Sequence, residues 1–569
     1  MIIGIDLGTT NSLVSIWRDG QAIMIPNALG QTLTPSVVGL DDQGEVLVGQ
    51  AARERLITHP DLTTSVFKRY MGSDRQTRLG TQWFRPEELS ALVLKSLKAD
   101  AERFLGATVD EAVITVPAYF SDAQRKATKI AGQLAGLRVE RLVNEPTAAA
   151  LAYGLHQSEP ESRFLVFDLG GGTFDISILE LFEGVMEVRA SAGDNFLGGE
   201  DFSELLIDGF IEEVGRHHGI SDKTADPAVY QALRKQAEQA KRALSSGDSY
   251  TMEIQHQGNS LSWQISDSDF LKRAEPLLKR IREPIERALR DARLKAIDLD
   301  QIVLAGGATR KPIIRKLVAK LFGRMPAMNL NPDEVVAQGA AVMAGLKARD
   351  VALREVVMTD VCPYTLGVEV SEQVVPGRFQ PGFYLPIIER NSVVPISREQ
   401  TVNTVADNQI ALNVNIYQGE SRQVKDNVFL GEITIPVPPR PAGQMAVAIR
   451  FTYDVNGLLE AEMTVEATGE KHRLLIEENP GVLTTEQIAE RLAALAKLKI
   501  HPRELLPNAT LLARADRLFQ QTLGEQRAWV AQATAQFQGQ LELQDEARIA
   551  EAREALKQAL DEIEGESWL

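Results

Sequence analysis

The sequence predicts an α/β protein that continues into a β-sandwich and ends in helices. Over roughly the first 350 residues, apolar runs of β type, ended by glycine or proline, alternate with long helical stretches. From residue 361 to 478 the pattern changes to short alternating strands with many turns, and the rest reads as amphipathic helix. We therefore expect domains at 1–350, 361–478 and 479–569, with a linker at 351–360.

Each part has its own local pattern. The predicted strands of the α/β part are IIGIDL, AVITVP, FLVFDL, DISILEL and QIVLAGG, and helices are expected at 86–105 and 230–244. The linker region, ARDVALREVVMTD, is predicted to be an extended segment. In VNTVADNQIALNVNIYQGE, apolar and polar residues alternate as they do in the strands of a sandwich. Thr484 and Gln487 form a plausible capping box that opens the last helical region.

Composition excludes several classes of protein. With 44% hydrophobic residues in 569, the chain can bury several cores, and its formal charge of −17 argues against a nucleic-acid partner. The single cysteine, Cys362, permits no disulfide framework and fits a reducing compartment. There is no signal-peptide pattern and no apolar run of about 18 residues. A cytoplasmic protein without membrane insertion is therefore expected.

The most informative feature is an internal duplication. IIGIDLGTTNSLVSI at Ile2–Ile16 and FLVFDLGGGTFDISI at Phe164–Ile178 each read as strand, Asp-Leu-Gly, a turn of small residues and a second strand. Gly-rich turns expose backbone N–H groups that can hold phosphate oxygens, here from two sides. Asp6 and Asp168 stand at matching positions, and two facing carboxylates near phosphates suit a hydrated Mg²⁺. Read singly, either copy is equally a tight hairpin capped by aspartate.

Two weaker patterns accompany the duplication. At Ile302–Pro312 a strand ends in Gly306 and Gly307, where the absence of side chains lets a flat base or ribose approach the backbone. In EQAKRALS, four polar residues share one helical face by their spacing, which fits either a solvated face or a ribose and base site. These four residues are Glu238, Lys241, Arg242 and Ser245.

Several long motifs, taken together, resemble one family over almost the whole chain. They are GIDLGTTNS, VPAYFSDAQRKAT, NEPTAAALAYGL, FDLGGGTFDIS, GDNFLGGEDF, AGGATR and NPDEVVAQGAAV. The chain resembles the DnaK-type, 70-kDa heat-shock chaperone family. That resemblance implies an actin-like ATPase of duplicated ribonuclease-H-like lobes, a β-sandwich peptide-binding domain and a short helical lid. It also implies an ATP-dependent chaperone that binds extended apolar segments of unfolded polypeptides.

The resemblance also implies roles for particular residues. Lys68 resembles the lysine that positions the attacking water, and Glu145 an acidic residue near the metal and water. Asp6 and Asp168 resemble the carboxylates around Mg²⁺ and K⁺, and Asp175 is a further candidate for the monovalent ion. The phosphate-loop candidates are Gly8, Thr9, Thr10, Asn11, Gly170, Gly171, Gly172, Thr173 and Asp175, with Thr173 also counted as catalytic. The candidates for the ATP/ADP nucleoside are Gly198, Gly199, Glu238, Lys241, Arg242, Ser245, Gly306, Gly307, Arg310 and Asp333.

The C-terminal half carries the peptide-binding part of the resemblance. The candidates for an apolar pocket are Val368, Val402, Leu412 and Val414, and those for an arch over the peptide are Ser371 and Val405. By period-2 alternation, Asn413 and Asn415 should face the other way. Asp360 resembles the linker aspartate that couples the halves, and Arg141 resembles a contact for a J-domain co-chaperone. A monomer is expected.

The chain also departs from the family pattern. The linker reads VVMTD without a run of leucines, 372–385 looks like an insertion, and the lid is short. Between residues 249 and 266 the longer loop that faces an exchange factor is missing, and Ala308 and Lys311 replace the usual residues beside the purine. These departures suggest the short HscC-like bacterial subgroup. They also predict that ADP leaves quickly, with a nucleotide exchange factor dispensable.

Three other interpretations compete with the chaperone. A sugar- or acetate-type kinase shares the duplicated Asp-Gly hairpin, and an actin-like filament protein shares the fold, but both leave the last 200 or so residues without a role. A peptide holdase with a degenerate ATPase is disfavoured by the intact set of Asp6, Lys68, Glu145, Asp168 and Thr173.

Overall fold

The computed structural model has the predicted order of an α/β part, a β-sandwich and C-terminal helices. It describes residues 1–56, 58–154, 161–182, 185–220, 226–244, 247–327, 330–353, 357–375, 378–454, 459–476, 506–522 and 524–565. Within these ranges, no helix combines the length and apolar character needed to cross a lipid bilayer.

The first lobe is built on a mixed sheet in the order β11-β10-β1-β2-β3, with β4 paired to β2. Its strands are β1 (Ile2–Asp6), β2 (Asn11–Arg18), β3 (Gln21–Ile25), β4 (Thr34–Pro35), β5 (Val37–Leu40), β6 (Val46–Val48), β7 (Thr63–Ser65), β8 (Thr77–Leu79), β9 (Gln82–Phe84), β10 (Glu111–Val116) and β11 (Arg138–Asn144). Its helices are α1 (Gln50–Glu54), α2 (Pro86–Leu105), α3 (Asp122–Leu134) and α4 (Glu145–Gly154). The predicted helix at 86–105 is confirmed; it begins with Pro86 at its first position and ends at Gly106, whose φ of 64° is left-handed.

The second lobe repeats this plan in the order β17-β12-β13-β14, which is extended by β18 (Val357–Val361) and β21 (Val393–Val394). Its strands are β12 (Glu161–Leu169), β13 (Phe174–Phe182), β14 (Val185–Asp194), β15 (Ser249–His256), β16 (Asn259–Ser266) and β17 (Gln301–Ala305). Its helices are α5 (Gly199–Glu213), α6 (Pro227–Ala243), α7 (Asp267–Asp291), α8 (Pro312–Phe322) and α9 (Val335–Lys347). In both lobes a parallel neighbour flanks a three-stranded antiparallel meander, β10 beside β1-β2-β3 and β17 beside β12-β13-β14. The duplication seen in the sequence is therefore a duplication of fold.

Two apolar helices, α4 and α9, join the lobes. Nearly every residue of both helices is buried, which fits a helix enclosed on all sides. Their backbones approach closely, because a Cβ built on Gly339 would lie only 1.7 Å from the carbonyl oxygen of Ala148. Helix α9 also lies against the first sheet, where a Cβ on Gly4 would lie 2.4 Å from the amide nitrogen of Ala341.

The predicted linker is partly a strand of the second sheet. Strand β18 (Val357–Val361) pairs in parallel with β14, and Asp360 and Val361 pair antiparallel with β21 (Val393–Val394) of the C-terminal half. The extended conformation predicted for this segment is therefore stabilised by hydrogen bonds on both edges. Strand β18 therefore connects the α/β part with the sandwich through backbone hydrogen bonds.

The C-terminal half begins as a sandwich of two four-stranded antiparallel sheets, β20-β19-β23-β24 and β22-β25-β26-β27. Its strands are β19 (Leu366–Val375), β20 (Arg378–Ile388), β22 (Ile396–Asn403), β23 (Ala411–Gln418), β24 (Val428–Pro436), β25 (Ala446–Tyr453), β26 (Leu459–Val465) and β27 (Glu470–Ile476). The core between the sheets includes Val368, Val414 and Phe451. Most of the suspected insertion at 372–385 lies in the long β19–β20 hairpin.

Among the described residues after the sandwich there are three helices, α10 (Leu506–Gln521), α11 (Gly524–Leu543) and α12 (Glu546–Gly565). They pack on one another through a small core that includes Leu511, Phe537 and Leu560. Gln544 joins them to the sandwich, since its amide donates to the Glu399 carbonyl (2.9 Å) and accepts from the Glu399 N–H (3.3 Å). The predicted capping box at Thr484 and Gln487 lies outside the described residues.

Candidate functional site

The turns of the two duplicated hairpins face each other across the cleft between the lobes. A Cβ built on Gly171 would lie 1.9 Å from Thr10 Oγ1, and one built on Gly172 would lie 2.8 Å from Thr9 Cγ2. The second turn is closed by a hydrogen bond from the Gly170 N–H to the Thr173 carbonyl (3.1 Å). Two glycine-rich turns, close enough for their backbone N–H groups to hold one polyphosphate, are therefore brought together from residues about 160 positions apart.

Three carboxylates and one ammonium are buried at the base of these turns, and a fourth carboxylate, that of Asp6, is half-buried beside them. The buried groups belong to Glu145, Asp168, Asp175 and Lys68. Lys68 Nζ donates to Glu145 Oε1 (2.7 Å), Thr115 donates to Asp6 Oδ1 (3.0 Å), and the Tyr119 N–H donates to Asp175 Oδ1 (3.0 Å). Lys68 is only 3% exposed, so its charge is directed into the cluster and not into solvent.

Burial disfavours the charged forms of these carboxyl groups. It raises the pKa of Asp6 to about 7 and that of Asp175 to about 8, with a further rise from Glu145 in both cases. Burial, followed by Glu145, also raises the pKa of Asp168 well above its usual range. Asp168 Oδ2 has no hydrogen-bond partner among the described residues. Such an excess of buried negative charge favours binding of a cation.

The kind of cation site is limited by geometry. Within the described ranges, no three His, Cys, Asp or Glu side chains stand close enough together to ligate one metal ion directly. Mg²⁺ commonly keeps several of its waters and contacts protein through few carboxylates. The carboxylates of Asp6, Asp168 and Asp175 fit an ion held through its water shell.

An arginine that the sequence analysis overlooked braces the second phosphate turn. Arg69 Nε donates to the Gly172 carbonyl (3.1 Å), and its Nη2 donates to Asp201 (2.6 Å). Asp201 in turn accepts from the Gly198 N–H (2.7 Å). The only sequence feature that could have indicated this role for Arg69 is its position directly after Lys68.

The glycine pair Gly198 and Gly199 lies against the same turn. A Cβ on Gly198 would lie 2.5 Å from the backbone of Gly171, and the Gly199 N–H donates to the Gly170 carbonyl (2.9 Å). Lys241 Nζ reaches the Gly199 carbonyl (2.8 Å) from helix α6. The structure thus places the predicted ribose-side glycines beside the predicted phosphate loop.

The polar face of helix α6 is not simply solvated. Lys241 is 5% exposed and pairs with Glu238 (2.6 Å), which also pairs with the exposed Arg242 (3.2 Å). Burial opposes ionisation of Glu238, yet Lys241 and neighbouring cations lower its pKa below the usual value. Ser245, the fourth residue of this predicted face, lies outside the described residues.

The opposite wall of the predicted nucleoside site follows β17. Gly306 has a φ of 80°, and a Cβ there would lie 2.3 Å from the Leu169 carbonyl oxygen, so this position requires glycine. A Cβ on Gly307 would lie 2.7 Å from Asp333 Oδ1, and Asp333 pairs with Arg310 (2.6 Å). The structure therefore brings the glycines, Arg310 and Asp333 together at the end of β17.

The predicted peptide pocket draws on both sheets of the sandwich. Val368 and Val414 are buried in the core, whereas Leu412 and Val402 are half-buried at its edge. Val402 lies on β22 and the other three lie on β19 and β23. The accessible part of such a pocket would be lined by Leu412 and Val402, with the two valines beneath them.

Beside this pocket lie the two residues predicted to form an arch and two asparagines predicted to face away from it. Ser371 is half-buried on β19, and Val405, in the loop after β22, is exposed. Asn413 accepts from Thr434 (3.0 Å) and Asn415 donates to Glu369 (2.9 Å), so both asparagines bond to polar partners on neighbouring strands. Their alternation with the buried Val414 and Ile416 agrees with the predicted orientation.

The linker aspartate contacts the ATPase part beside the acidic cluster. Asn144 Nδ2 donates to both Asp360 oxygens, at 3.2 and 3.3 Å, and Asn144 immediately precedes Glu145. Arg141 lies near by on β11, where its Nη1 approaches the sulfur of Met343 at 3.6 Å. The Arg141 Nε is buried without a hydrogen-bond partner among the described residues.

Two further contacts connect the sandwich with the ATPase part. Arg390 pairs with Asp291 at the end of α7 (2.8 Å) and with Glu420 of its own domain (2.6 Å). The Tyr364 hydroxyl donates to the Tyr119 carbonyl (2.5 Å), and the Tyr119 N–H contacts the acidic cluster at Asp175.

Comparison with known proteins shows which family the chain belongs to. The profile of the family described as Hsp70 protein matches residues 2–82 and 74–567. The chain belongs to the Hsp70 family. It is also 40% identical over 528 residues to the chaperone protein DnaK of Thermotoga petrophila, of Thermotoga maritima and of Thermotoga neapolitana. Each alignment covers 91% of this chain and 87% of the relative.

Membership of the Hsp70 family confirms the predicted fold class, an actin-like ATPase followed by a β-sandwich and helices. It also confirms the predicted activity: the protein is an ATPase and an ATP-dependent chaperone of unfolded polypeptides. The kinase and filament alternatives are thereby excluded as the main function.

Proposed function

We propose that the buried acidic cluster is where this Hsp70 protein hydrolyses ATP, with Lys68 and Glu145 positioning the attacking water. The observation that carries the proposal is the facing pair of glycine turns above a cluster of four carboxylates and one ammonium. Hydrolysis of a phosphoanhydride depends mainly on positioning and on neutralising charge. Lys68 supplies a fixed cation whose only described hydrogen-bond partner is Glu145.

The same cluster would hold the cations. Asp6 and Asp168 would contact Mg²⁺ through its waters, and Asp175 would contribute to a K⁺ site. Support comes from the burial of Asp168 and Asp175 and from Asp168 Oδ2, which has no hydrogen-bond partner among the described residues. Bound Mg²⁺ neutralises negative charge on the phosphates during hydrolysis.

The remaining nucleotide contacts come from the turns and walls described above. The phosphates would be held by the backbone N–H groups of residues 8–11 and 170–173, with Arg69 bracing the second turn. The nucleoside would lie between the Glu238, Lys241 and Arg242 face of α6 and the glycines after β17.

Peptide would bind at the edge of the sandwich where Leu412 and Val402 are half-buried. A client in extended conformation would bond to strand edges and place one apolar side chain in the pocket, with Ser371 and Val405 arching over it. Binding of this kind accepts many sequences, because most of its hydrogen bonds go to the backbone.

Coupling between the two sites would pass through the linker and the domain interface. Asp360 contacts Asn144, next to Glu145, and Arg390 bonds across the interface to Asp291. A nucleotide that changes the geometry of Glu145 would therefore change the interface that holds the sandwich. The half-buried Arg141 beside this contact is the proposed docking point of a J-domain co-chaperone.

The departures from the family pattern support a narrower proposal about nucleotide exchange and about the subgroup of the family. Strands β15 and β16 are joined by a two-residue turn in which Gln257 and Gly258 have φ of 49° and 79°. This turn leaves no latch loop, which supports fast ADP release without an exchange factor. We place the protein among HscC-like members, as a monomer of the cytoplasm.

One experiment tests the proposed assignment of both sites. The ATPase rate of the full chain is measured with and without an unstructured apolar peptide. Stimulation by the peptide supports coupled nucleotide and peptide sites. A rate indifferent to the peptide contradicts the proposed coupling, and turnover that requires a sugar would revive the kinase alternative.

A further inference from the structure

Lys311 lies at the predicted nucleoside site. It follows the glycine turn after β17 and immediately precedes helix α8. It borders a small hollow that is also lined by Gly199, Lys241, Ala308 and four apolar side chains. Gly199 and Lys241 belong to the proposed nucleoside site, so Lys311 belongs to its wall.

The ammonium of Lys311 is poorly satisfied in the structure. It makes no hydrogen bond and no ion pair within 4 Å of any described residue, although Glu238 pairs with both Lys241 and Arg242 near by. Burial, reinforced by the charge of Lys241, lowers the pKa of Lys311 to about 8. The charge of Glu238 attracts Lys311, but Glu238 already pairs with Lys241 and Arg242, so the hydration that Lys311 loses is only partly compensated. This favours a ligand that offers acceptor atoms.

The residue of the glycine turn nearest to Gly199 offers no hydrogen bond to a base. Ala308 has no hydrogen-bonding side chain, and its Cβ lies beside Gly199, 3.3 Å from the position that a Cβ on that glycine would occupy. Lysine only donates hydrogen bonds. Adenine presents an N7 acceptor next to a donor amine, whereas guanine and hypoxanthine present N7 and O6, two adjacent acceptors that suit a lysine.

We propose that Lys311 reads the purine base and that the nucleotide site of this Hsp70 protein accepts 6-oxopurine nucleotides, such as IDP and GDP, as well as ADP. The inference rests on the proposed nucleotide site. A lysine donor on the O6 and N7 edge favours a 6-oxopurine by about tenfold relative to a neutral side chain. Base selectivity in this chain is therefore set by Lys311 as well as by the phosphate and ribose contacts.

The test is competitive binding of ADP and IDP, each with Mg²⁺, to the full chain and to Lys311→Met. We expect the ratio of the IDP dissociation constant to that of ADP to rise about tenfold in Lys311→Met, chiefly through weaker IDP binding. Lys311→Arg, which keeps donors, should hold the ratio within about threefold of wild type. Lys316→Met, on the exposed side of the same helix, is the matched control and should not change it.

The outcomes separate this inference from the proposed site itself. An unchanged ratio in a folded Lys311→Met protein that still binds ADP would refute base reading by Lys311 alone. A wild-type protein that binds ADP tightly and shows no measurable IDP binding would refute it as well. Failure of wild type to bind either nucleotide would instead refute the proposed nucleotide site.

Discussion

Asn144 donates hydrogen bonds to both carboxylate oxygens of Asp360, at 3.2 and 3.3 Å. The two residues are 216 positions apart. One of them lies in the linker and the other precedes the proposed catalytic Glu145. This contact therefore joins the segment that leads to the sandwich with the residue next to Glu145, which pairs with Lys68.

The first prediction concerns this contact. Asp360→Asn removes the charge but keeps the shape, and a hydrogen bond to a neutral acceptor is weaker than one to a carboxylate by about 1 kcal/mol. We expect stimulation of the ATPase by peptide to fall about fivefold, with the basal rate nearly unchanged. Steady-state ATPase assays with and without peptide provide the measurement. Glu283→Gln, on the exposed side of α7, is the control, and full stimulation in Asp360→Asn would reject the role of Asp360.

The second prediction concerns chemistry. Lys68→Met removes the buried ammonium and keeps the length of the side chain, so nucleotide binding should survive while hydrolysis loses a positioned cation. We expect the single-turnover rate to fall about 100-fold or more. Lys95→Met on the exposed side of α2 should hydrolyse ATP normally. A single-turnover rate within about threefold of wild type would contradict the assignment, since that is less than 1 kcal/mol of barrier.

The third prediction concerns the second interdomain contact. Arg390→Met breaks the ion pairs with Asp291 and Glu420 together, which should weaken the docked arrangement of the sandwich. We expect slower peptide release in ATP, measured with a fluorescent peptide by stopped flow. The matched control is Arg422→Met, because Arg422 pairs with Glu372 inside the sandwich domain. If both variants release peptide like wild type, the Arg390 contact plays no part in coupling.

The fourth prediction concerns the peptide pocket. Leu412→Gln places an amide at a half-buried position, so folding should survive while burial of an apolar client side chain becomes less favourable. Affinity for an apolar peptide, measured by fluorescence anisotropy, should fall about tenfold. The same change at the exposed Val428 should have little effect. Equal affinity in Leu412→Gln and wild type would place the pocket elsewhere.

Local sequence patterns were sufficient for the duplicated hairpins, because Asp-Leu-Gly followed by small residues specifies both the turn and the position of its carboxylate. Asp6 and Asp168 could therefore be paired before their sheets were known. The Arg69 contact with Asp201 spans 132 positions and has no periodicity, so no local pattern could have revealed it. The docking of β18 against β14 likewise depends on the tertiary arrangement and not on the linker's own sequence.

We propose that the nucleotide bound at the acidic cluster controls how tightly the sandwich binds peptide. The most direct test of this proposal is to mix the full chain, loaded with a fluorescent apolar peptide, with Mg²⁺ and either ATP or ADP in a stopped-flow instrument. We expect the peptide to be released at least about tenfold faster with ATP than with ADP. Equal release rates with the two nucleotides would contradict it.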